Sequence, residues 1–217
     1  MADYAARRTA MVDTQVRPSD VTKFPIIEAM LSIPKEAFVP DNMRTAAYLG
    51  ENLPLADRRV ILEARTMGKM LDAANIQRGD LVLDIGCGLG YSAAVIGRMA
   101  DAVVAIESDE SMANEAQERL ASMDAHNVAV MNGPLTEGAA KHGPYDVIMI
   151  QGGVEDVPAY LSDQLRDGGR ICAIFMEGAL GTVRVGHKSN NRINWRYGFN
   201  AGAPILPGFE KQREFAL

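Results

Sequence analysis

The sequence predicts an α/β fold: a mostly parallel seven-stranded sheet with helices on both faces and a C-terminal antiparallel hairpin. From residue 79 onward, short apolar segments alternate with stretches that carry apolar residues at helical spacing, which is the pattern of successive βαβ units. Near the end of the chain, two strand-like segments are separated only by residues 189–192, too few for a helical crossover. The residues before 79 carry mainly helical patterns.

The apolar segments set the order of the predicted strands. Each is short, aliphatic and bounded mostly by glycine, asparagine or aspartate, as expected for strands buried in a parallel sheet. Because parallel connections are right-handed, the intervening helices cover both faces of that sheet. The predicted parallel strands are 81–85, 102–106, 128–131, 146–150 and 170–176. The predicted hairpin pairs 182–188 with 193–199.

In the N-terminal part, helical spacing of Phe24, Ile27 and Met30 predicts one helix. A second helix is expected to begin near Asp41 and to end by Gly50. The following residues, 52–59, are rich in charge and contain a proline, so a loop is expected there before a short extended piece at 60–62.

Composition and charge exclude several classes of protein. The chain has 217 residues, of which 47% are hydrophobic and 23% charged, with a net charge of −6. An acidic chain is not held on nucleic acid by bulk electrostatics. No apolar segment is long enough to span a bilayer or to form a secretory signal, so we expect a cytoplasmic protein without a membrane partner. Cys87 and Cys172 have no companions at ligand spacing, so neither a metal site nor a disulfide is predicted.

A glycine-rich turn between the first predicted strand and the next helix predicts a cofactor site. Its glycines let the backbone approach a ligand closely, and Tyr91 stands where a dinucleotide fingerprint would have a third glycine. Asp84 just precedes the turn, and Glu107 ends the second strand, where a carboxylate can accept hydrogen bonds from ribose hydroxyls. The alternatives are a turn cap for Asp84 and a solvated strand end for Glu107. The glycines are Gly86, Gly88 and Gly90.

Residues 79–90, 103–107 and 165–170 resemble the motifs of Rossmann-like class I methyltransferases. The segments 29–40, 52–55 and 143–148 extend this resemblance to the protein-L-isoaspartate O-methyltransferases. The resemblance implies S-adenosylmethionine as the cofactor, with Asp84, the three glycines and Glu107 at its site. It also implies a protein or peptide substrate that carries isoaspartyl residues, as in the repair of damaged proteins. The oligomeric state is not indicated.

The sequence departs from the family pattern at two places. Leu62 stands where the family has an active-site serine, and Leu62 can donate no hydrogen bond to an acceptor. Glu63 beside it would repel a carboxylate if it pointed inward, or it stabilises the start of a helix together with a solvated Arg65. Where the family has Gly-Asp-Gly at the adenine, this chain has Gly133-Pro134-Leu135.

These departures leave three hypotheses open. The chain is a methyltransferase for isoaspartyl carboxylates, or it methylates a different acceptor, or it is a non-catalytic protein that binds the cofactor as a scaffold. In each case we expect a helical flap over the substrate side at 1–76 and a cofactor-binding domain at 77–200. The tail 201–217 is expected to pack on that domain.

Overall fold

The computed structural model describes residues 3–211, and within them the main sheet has seven strands in the order β5-β4-β3-β6-β7-β8-β9. The pairs from β5 to β7 are parallel, and the pairs β7–β8 and β8–β9 are antiparallel. The predicted fold class is therefore confirmed. The strands are β3 (Leu81–Ile85), β4 (Ala102–Glu107), β5 (Val128–Asn132), β6 (Tyr145–Val154), β7 (Leu165–Glu177), β8 (Leu180–Ser189) and β9 (Arg192–Asn200).

The last turn of the sheet, between β8 and β9, is made by Asn190 and Asn191, both with positive φ (50° and 61°), as a tight two-residue hairpin turn requires.

Six α-helices lie before and between the strands of the main sheet in the described residues. They are α1 (Tyr4–Met11), α2 (Phe24–Ser32), α3 (Ala64–Ala74), α4 (Tyr91–Gly97), α5 (Glu110–Ala121) and α6 (Ala159–Asp163). None of the helices in the described residues is long and apolar enough to cross a membrane.

Two expectations for the N-terminal part were wrong. Instead of a helix from Asp41 to Gly50, the chain forms only a 3-10 turn at Asp41–Ala46. Instead of a loop, the segment before α3 forms an antiparallel hairpin of β1 (Leu53–Ala56) and β2 (Arg59–Ile61). Its turn residue Arg58 has a φ of 54°, a conformation that is uncommon for a side chain larger than asparagine. We call this segment the β1–β2 hairpin.

Alternate residues of the central strand β3 contribute to two hydrophobic clusters, because successive side chains of a strand point to opposite faces. Val82 belongs to the cluster that includes α3, α4 and the N-terminal residues. Leu83 and Ile85 belong to the cluster on the opposite face, which also includes Leu206 and Phe209. The described part of the tail thus packs against the sheet, whereas 212–217 lie outside the described residues.

The chain order creates a crevice at one end of the sheet. From β3, the chain adds β4 and β5 on one side and then β6 on the other, so the connections after β3 and β6 leave in opposite directions. In sheets of this kind, ligands bind outside the carboxyl ends of the strands at such a point. Here the glycine loop follows β3, Glu107 ends β4 and Gln151 lies in β6.

Candidate cofactor site

The turn after β3 has the conformation that its glycines permit. Gly86, Gly88 and Gly90 have φ values of 81°, 56° and 97°, in the left-handed region that residues with a Cβ rarely adopt. The turn is tied to the neighbouring strand, because the N–H of Gly86 donates to the carbonyl oxygen of Ile106 at 2.8 Å. Helix α4 begins directly after Gly90. The loop therefore connects the end of β3 to the start of α4 beside the end of β4.

Glu107 is fully buried and its carboxylate faces this loop. Oε1 accepts hydrogen bonds from the backbone N–H of Ser108 at 2.8 Å and of Asp109 at 3.2 Å. Oε2 accepts from the N–H of Gly88 at 2.8 Å and also from Nη2 of Arg59. Arg59 is itself only 4% exposed, so the two residues form a buried ion pair. The alternative of a solvated strand end at Glu107 is therefore wrong.

Asp84 is also fully buried, and both of its oxygens are engaged by side chains. Ser92 Oγ donates to Oδ2 at 2.5 Å, and Gln151 Nε2 donates to Oδ1 at 2.6 Å. Burial raises the pKa of Asp84 to about 6, although these hydrogen bonds and the nearby Arg59 oppose the rise. Asp84 thus links β3 to α4 and β6 beneath the glycine loop.

The β1–β2 hairpin lies directly on the glycine loop. A Cβ atom built on Gly88 would lie 2.5 Å from Leu55 Cδ1, and one built on Gly86 would lie 3.2 Å from Arg59 Nη1. A side chain at Gly88 would force Leu55 to shift, and one at Gly86 would meet Arg59 in a tight contact. The glycines therefore have a second role in this structure, since they allow the hairpin to seat against them.

Two cavities adjoin the hairpin and the loop. One measures about 400 Å³ and is lined by residues that include Leu55 and Leu89. The other measures about 10 Å³ and is lined by residues that include Leu62, Tyr91 and Gln151. That volume suits about one water molecule, whereas sites for ligands of cofactor size usually have about 300 Å³ or more. Space of cofactor size is therefore present beside Leu55 but not beside Leu62. In this conformation Arg59 occupies the Glu107 carboxylate, the group predicted to bind a ribose.

Of the two acceptor-side residues predicted from the sequence, only Leu62 lines the smaller cavity. Leu62 is 3% exposed. Glu63 immediately precedes α3, and its Oε1 accepts from Thr66 Oγ1 at 2.7 Å and lies 3.5 Å from Arg65 Nη1. Glu63 therefore points along the start of the helix, where its charge is favourable, and its side chain is partly exposed.

Gly133 and Leu135 follow β5 at the same end of the sheet. The N–H of Gly133 donates to the backbone carbonyl of Glu107 at 3.1 Å. A Cβ on Gly133 would meet no atom within 4 Å, so there is open space next to it. Leu135 is 2% exposed and belongs to the hydrophobic cluster, so its side chain faces the core.

Three residues of the site were missed by the sequence analysis. The sequence pattern places Arg59 in a loop and singles out neither Gln151 nor Lys35, which lies within the segment 29–40. Lys35 is fully buried, and burial lowers its pKa to about 8 although the nearby Glu63 favours the charged form. Its Nζ lies 5.6 Å from the centre of the Tyr91 ring. Buried polar residues at these positions are visible only once the chain is folded.

The parallel sheet, the glycine loop after its central strand and the acidic residue at the end of the next strand define the class I methyltransferase fold. The comparisons with known proteins specify the family. Residues 6–196 match the family described as protein-L-isoaspartate(D-aspartate) O-methyltransferase, so the chain belongs to that family. The match confirms the class of enzyme predicted from the sequence, the S-adenosylmethionine-dependent methyltransferases.

Relatives and solved structures agree with this assignment. The chain is 36% identical over 171 residues to the protein-L-isoaspartate O-methyltransferase of Syntrophus aciditrophicus, covering 79% of this chain and 78% of the relative. The enzyme of the same name from Koribacter versatilis is 35% identical over 171 residues, with 79% and 77% covered.

Two solved structures share the fold. A protein-L-isoaspartate O-methyltransferase superposes with a TM-score of 0.81 at 24% identity and covers 93% of this chain, which spans 66% of that structure. A second structure, from Plasmodium falciparum, was determined in complex with S-adenosyl-L-homocysteine. It is described as a putative member of the family and has a TM-score of 0.78 at 15% identity, with 95% of this chain and 99% of that chain covered.

Proposed function

We propose that this protein is an S-adenosylmethionine-dependent methyltransferase that transfers the methyl group to the isoaspartyl carboxylate of damaged proteins or peptides in the cytoplasm. The observation that carries the proposal is the buried Glu107 carboxylate facing the glycine loop at the carboxyl end of β4. A buried acceptor in this place suits a ligand that offers two hydroxyl groups. The family membership supports the same cofactor and the same kind of substrate.

Each of the proposed cofactor-binding residues has a separate role. Glu107 accepts the ribose hydroxyls, the glycine backbone lies against the cofactor, and Asp84 holds the loop in place through Ser92 and Gln151. The adenine is proposed to lie near Gly133 and Leu135, where open space adjoins Gly133. All of this requires a conformation in which the β1–β2 hairpin has moved off the loop.

The acceptor side requires little acid–base chemistry. A carboxylate is already ionised at neutral pH, so the protein contributes by aligning the acceptor and by excluding water. Leu62 and Glu63 are the proposed acceptor-side residues, and 1–76 is proposed to form the flap over this side. Leu62 contributes an apolar wall but no hydrogen bond, which distinguishes this chain from the family pattern.

A second candidate function is favoured by the same observations. Leu62 offers no hydroxyl group to the acceptor, and the Glu107 carboxylate proposed to bind the ribose is already paired with Arg59. Both features fit a family member that uses a different acceptor or that no longer transfers a methyl group. Binding and turnover separate these hypotheses. Calorimetric titration of the full-length protein with S-adenosyl-L-homocysteine tests the cofactor, and methylation of an isoaspartyl peptide with radiolabelled cofactor tests the acceptor.

Binding together with methylation supports the proposed function, and binding without methylation supports the second candidate. If neither the wild type nor the Arg59→Ala variant binds S-adenosyl-L-homocysteine, every function that depends on the cofactor is contradicted. Leu62→Ser restores the family hydroxyl and is expected to raise isoaspartyl turnover. Leu62→Ala is its matched control, because it also opens the cavity but adds no donor. Equal turnover of the two variants would show that the hydroxyl is not what limits the reaction.

A further inference from the structure

The ion pair between Arg59 and Glu107 places a residue of the chain on the group that should hold the cofactor. We propose that Arg59 is an internal competitor for the cofactor: it occupies the Glu107 carboxylate, so the β1–β2 hairpin must leave the glycine loop before S-adenosylmethionine binds. This inference rests on the proposed function, because it assigns Glu107 to the ribose. It makes Arg59 a determinant of cofactor affinity.

The hydrogen-bond capacity of Glu107 supports the competition. Its two oxygens already accept from three backbone N–H groups, those of Gly88, Ser108 and Asp109. The donors of these three bonds belong to the glycine loop and to the residues after β4, and none of them belongs to the hairpin. Arg59 is the one partner of Glu107 that arrives from the hairpin, so it is the bond that a ribose would replace.

The shape of the site leads to the same conclusion. Leu55 and Arg59 contact the loop at Gly88 and Gly86, so the hairpin covers both positions of the loop. Rotation of the Arg59 side chain alone frees Glu107 but leaves Leu55 against Gly88. The two residues lie on opposite strands of one hairpin, so they leave the loop together when the hairpin moves as a unit.

The closed position of Arg59 leaves some of its hydrogen-bond donors without a partner, which lowers the cost of breaking its ion pair with Glu107. Among the described residues, Arg59 Nε and Nη1 are buried and have no hydrogen-bond partner. The guanidinium therefore meets Glu107 through Nη2 and not through the two-pronged geometry of the strongest arginine–carboxylate pairs. Unpaired buried donors regain partners in water when the hairpin opens, and this offsets part of the loss of the ion pair.

The hairpin is held by apolar packing and by a few polar contacts at its ends. Leu53 and Ile61 are 2% and 7% exposed and belong to the hydrophobic cluster that includes α3 and α4. Asn52 Nδ2, just before β1, donates to the carbonyl oxygen of Gly202 at 2.9 Å. Arg58 at the tip forms a partly exposed ion pair with Glu210 of the tail. Exposed pairs of this kind are weak. Opening the hairpin therefore costs two surface contacts, the Arg59–Glu107 pair and part of this apolar packing, and the bound ligand has to offset that cost.

The direct test compares binding of S-adenosyl-L-homocysteine by the full-length wild type and by Arg59→Ala, measured by titration calorimetry. The variant is expected to bind at least tenfold more tightly, which corresponds to about 1.4 kcal/mol. Arg44→Ala is the matched control, since it removes the same charge from an exposed pair with Asp41 and is expected to leave the dissociation constant within about twofold of the wild type.

The outcomes separate this inference from the proposed function. If the wild type binds and Arg59→Ala binds equally well or more weakly, the competition is refuted and the proposed function stands. If neither protein binds, both are refuted. Far-ultraviolet circular dichroism and thermal unfolding establish that the variant is folded.

Hydrogen exchange on the wild type provides a second test that needs no variant. Saturating S-adenosyl-L-homocysteine is expected to increase amide exchange in residues 53–61, because the hairpin leaves its seat. The same ligand is expected to decrease exchange in residues 86–90 of the loop. A decrease in both segments would mean that the hairpin closes over the ligand, and it would overturn the proposal.

Discussion

Replacing the buried Lys35 with methionine is expected to stabilise the protein, and the magnitude follows from its pKa. Lys35 is fully buried, and burial lowers its pKa from 10.5 to about 8. At 1.36 kcal/mol for each pKa unit, this difference corresponds to about 3 kcal/mol lost on burying the charge. Methionine has a similar length and no charge, so Lys35→Met removes that cost.

The effect has a defined dependence on pH. Below pH 8 the lysine is protonated in both the folded and the unfolded chain, so the full cost is present. Between pH 8 and 10.5 the unfolded chain binds a proton that the folded chain has lost, so the stability of the wild type rises with pH. The advantage of Lys35→Met is therefore expected to shrink by about 3 kcal/mol from pH 7 to pH 10.5.

Urea unfolding at pH 7, 9 and 10.5, followed by circular dichroism, measures this advantage. Lys141→Met is the matched control, because Lys141 is exposed and its replacement is expected to change the free energy of unfolding by less than about 0.5 kcal/mol. Equal stability of Lys35→Met and the wild type at pH 7 would refute the reasoning. So would an advantage that stays constant across this pH range, because it would come from packing and not from the charge.

Three other predictions concern buried side chains, two of them in the sheet and one in the tail. Burial raises the pKa of Asp84 from 3.8 to about 6, so its ionisation destabilises the fold as pH rises through this range. Asp84→Asn is therefore expected to gain up to about 3 kcal/mol on the wild type between pH 4 and 7 in urea unfolding, and a constant difference would contradict this. Burial raises the pKa of Cys172 to about 12, so iodoacetamide at pH 8 is expected to label it only in unfolded protein, as mass spectrometry would show. Phe209 is 1% exposed, so Phe209→Ala is expected to cost about 3–5 kcal/mol of stability, whereas a loss under 1 kcal/mol would mean that the tail contributes little.

The order of strands and the position of the glycine loop could be predicted because both depend on local patterns. The segment Leu81–Ile85 is apolar except for Asp84 and is followed at once by a glycine-rich turn, which suffices to place a buried parallel strand and a tight turn. The two asparagines between β8 and β9 likewise predict a hairpin. Because parallel strands end at one edge, the positions of Asp84 and Glu107 in the sequence also bring them to the same crevice.

The region before α3 could not be predicted because its structure depends on distant residues. The hairpin has only seven residues in its two strands, and Pro54 and the positive φ of Arg58 both weaken a prediction of strands. Its stability comes instead from contacts far along the chain, those of Leu55 with Gly88 and of Arg59 with Glu107. Nothing in the spacing of residues 52–62 indicates either contact.

The pairing of Arg59 with Glu107 changes what the acidic residue at the end of β4 can be taken to mean. An acidic residue there is compatible with a ribose, but an arginine within reach can satisfy it equally well. If the closed hairpin is favoured, the fraction of open molecules multiplies the affinity for the cofactor. A tenfold preference for the closed form requires only about 1.4 kcal/mol, which a single hydrogen bond between charged groups supplies. The proposed competition therefore needs only one residue of the hairpin, Arg59, to lower the affinity for the cofactor tenfold.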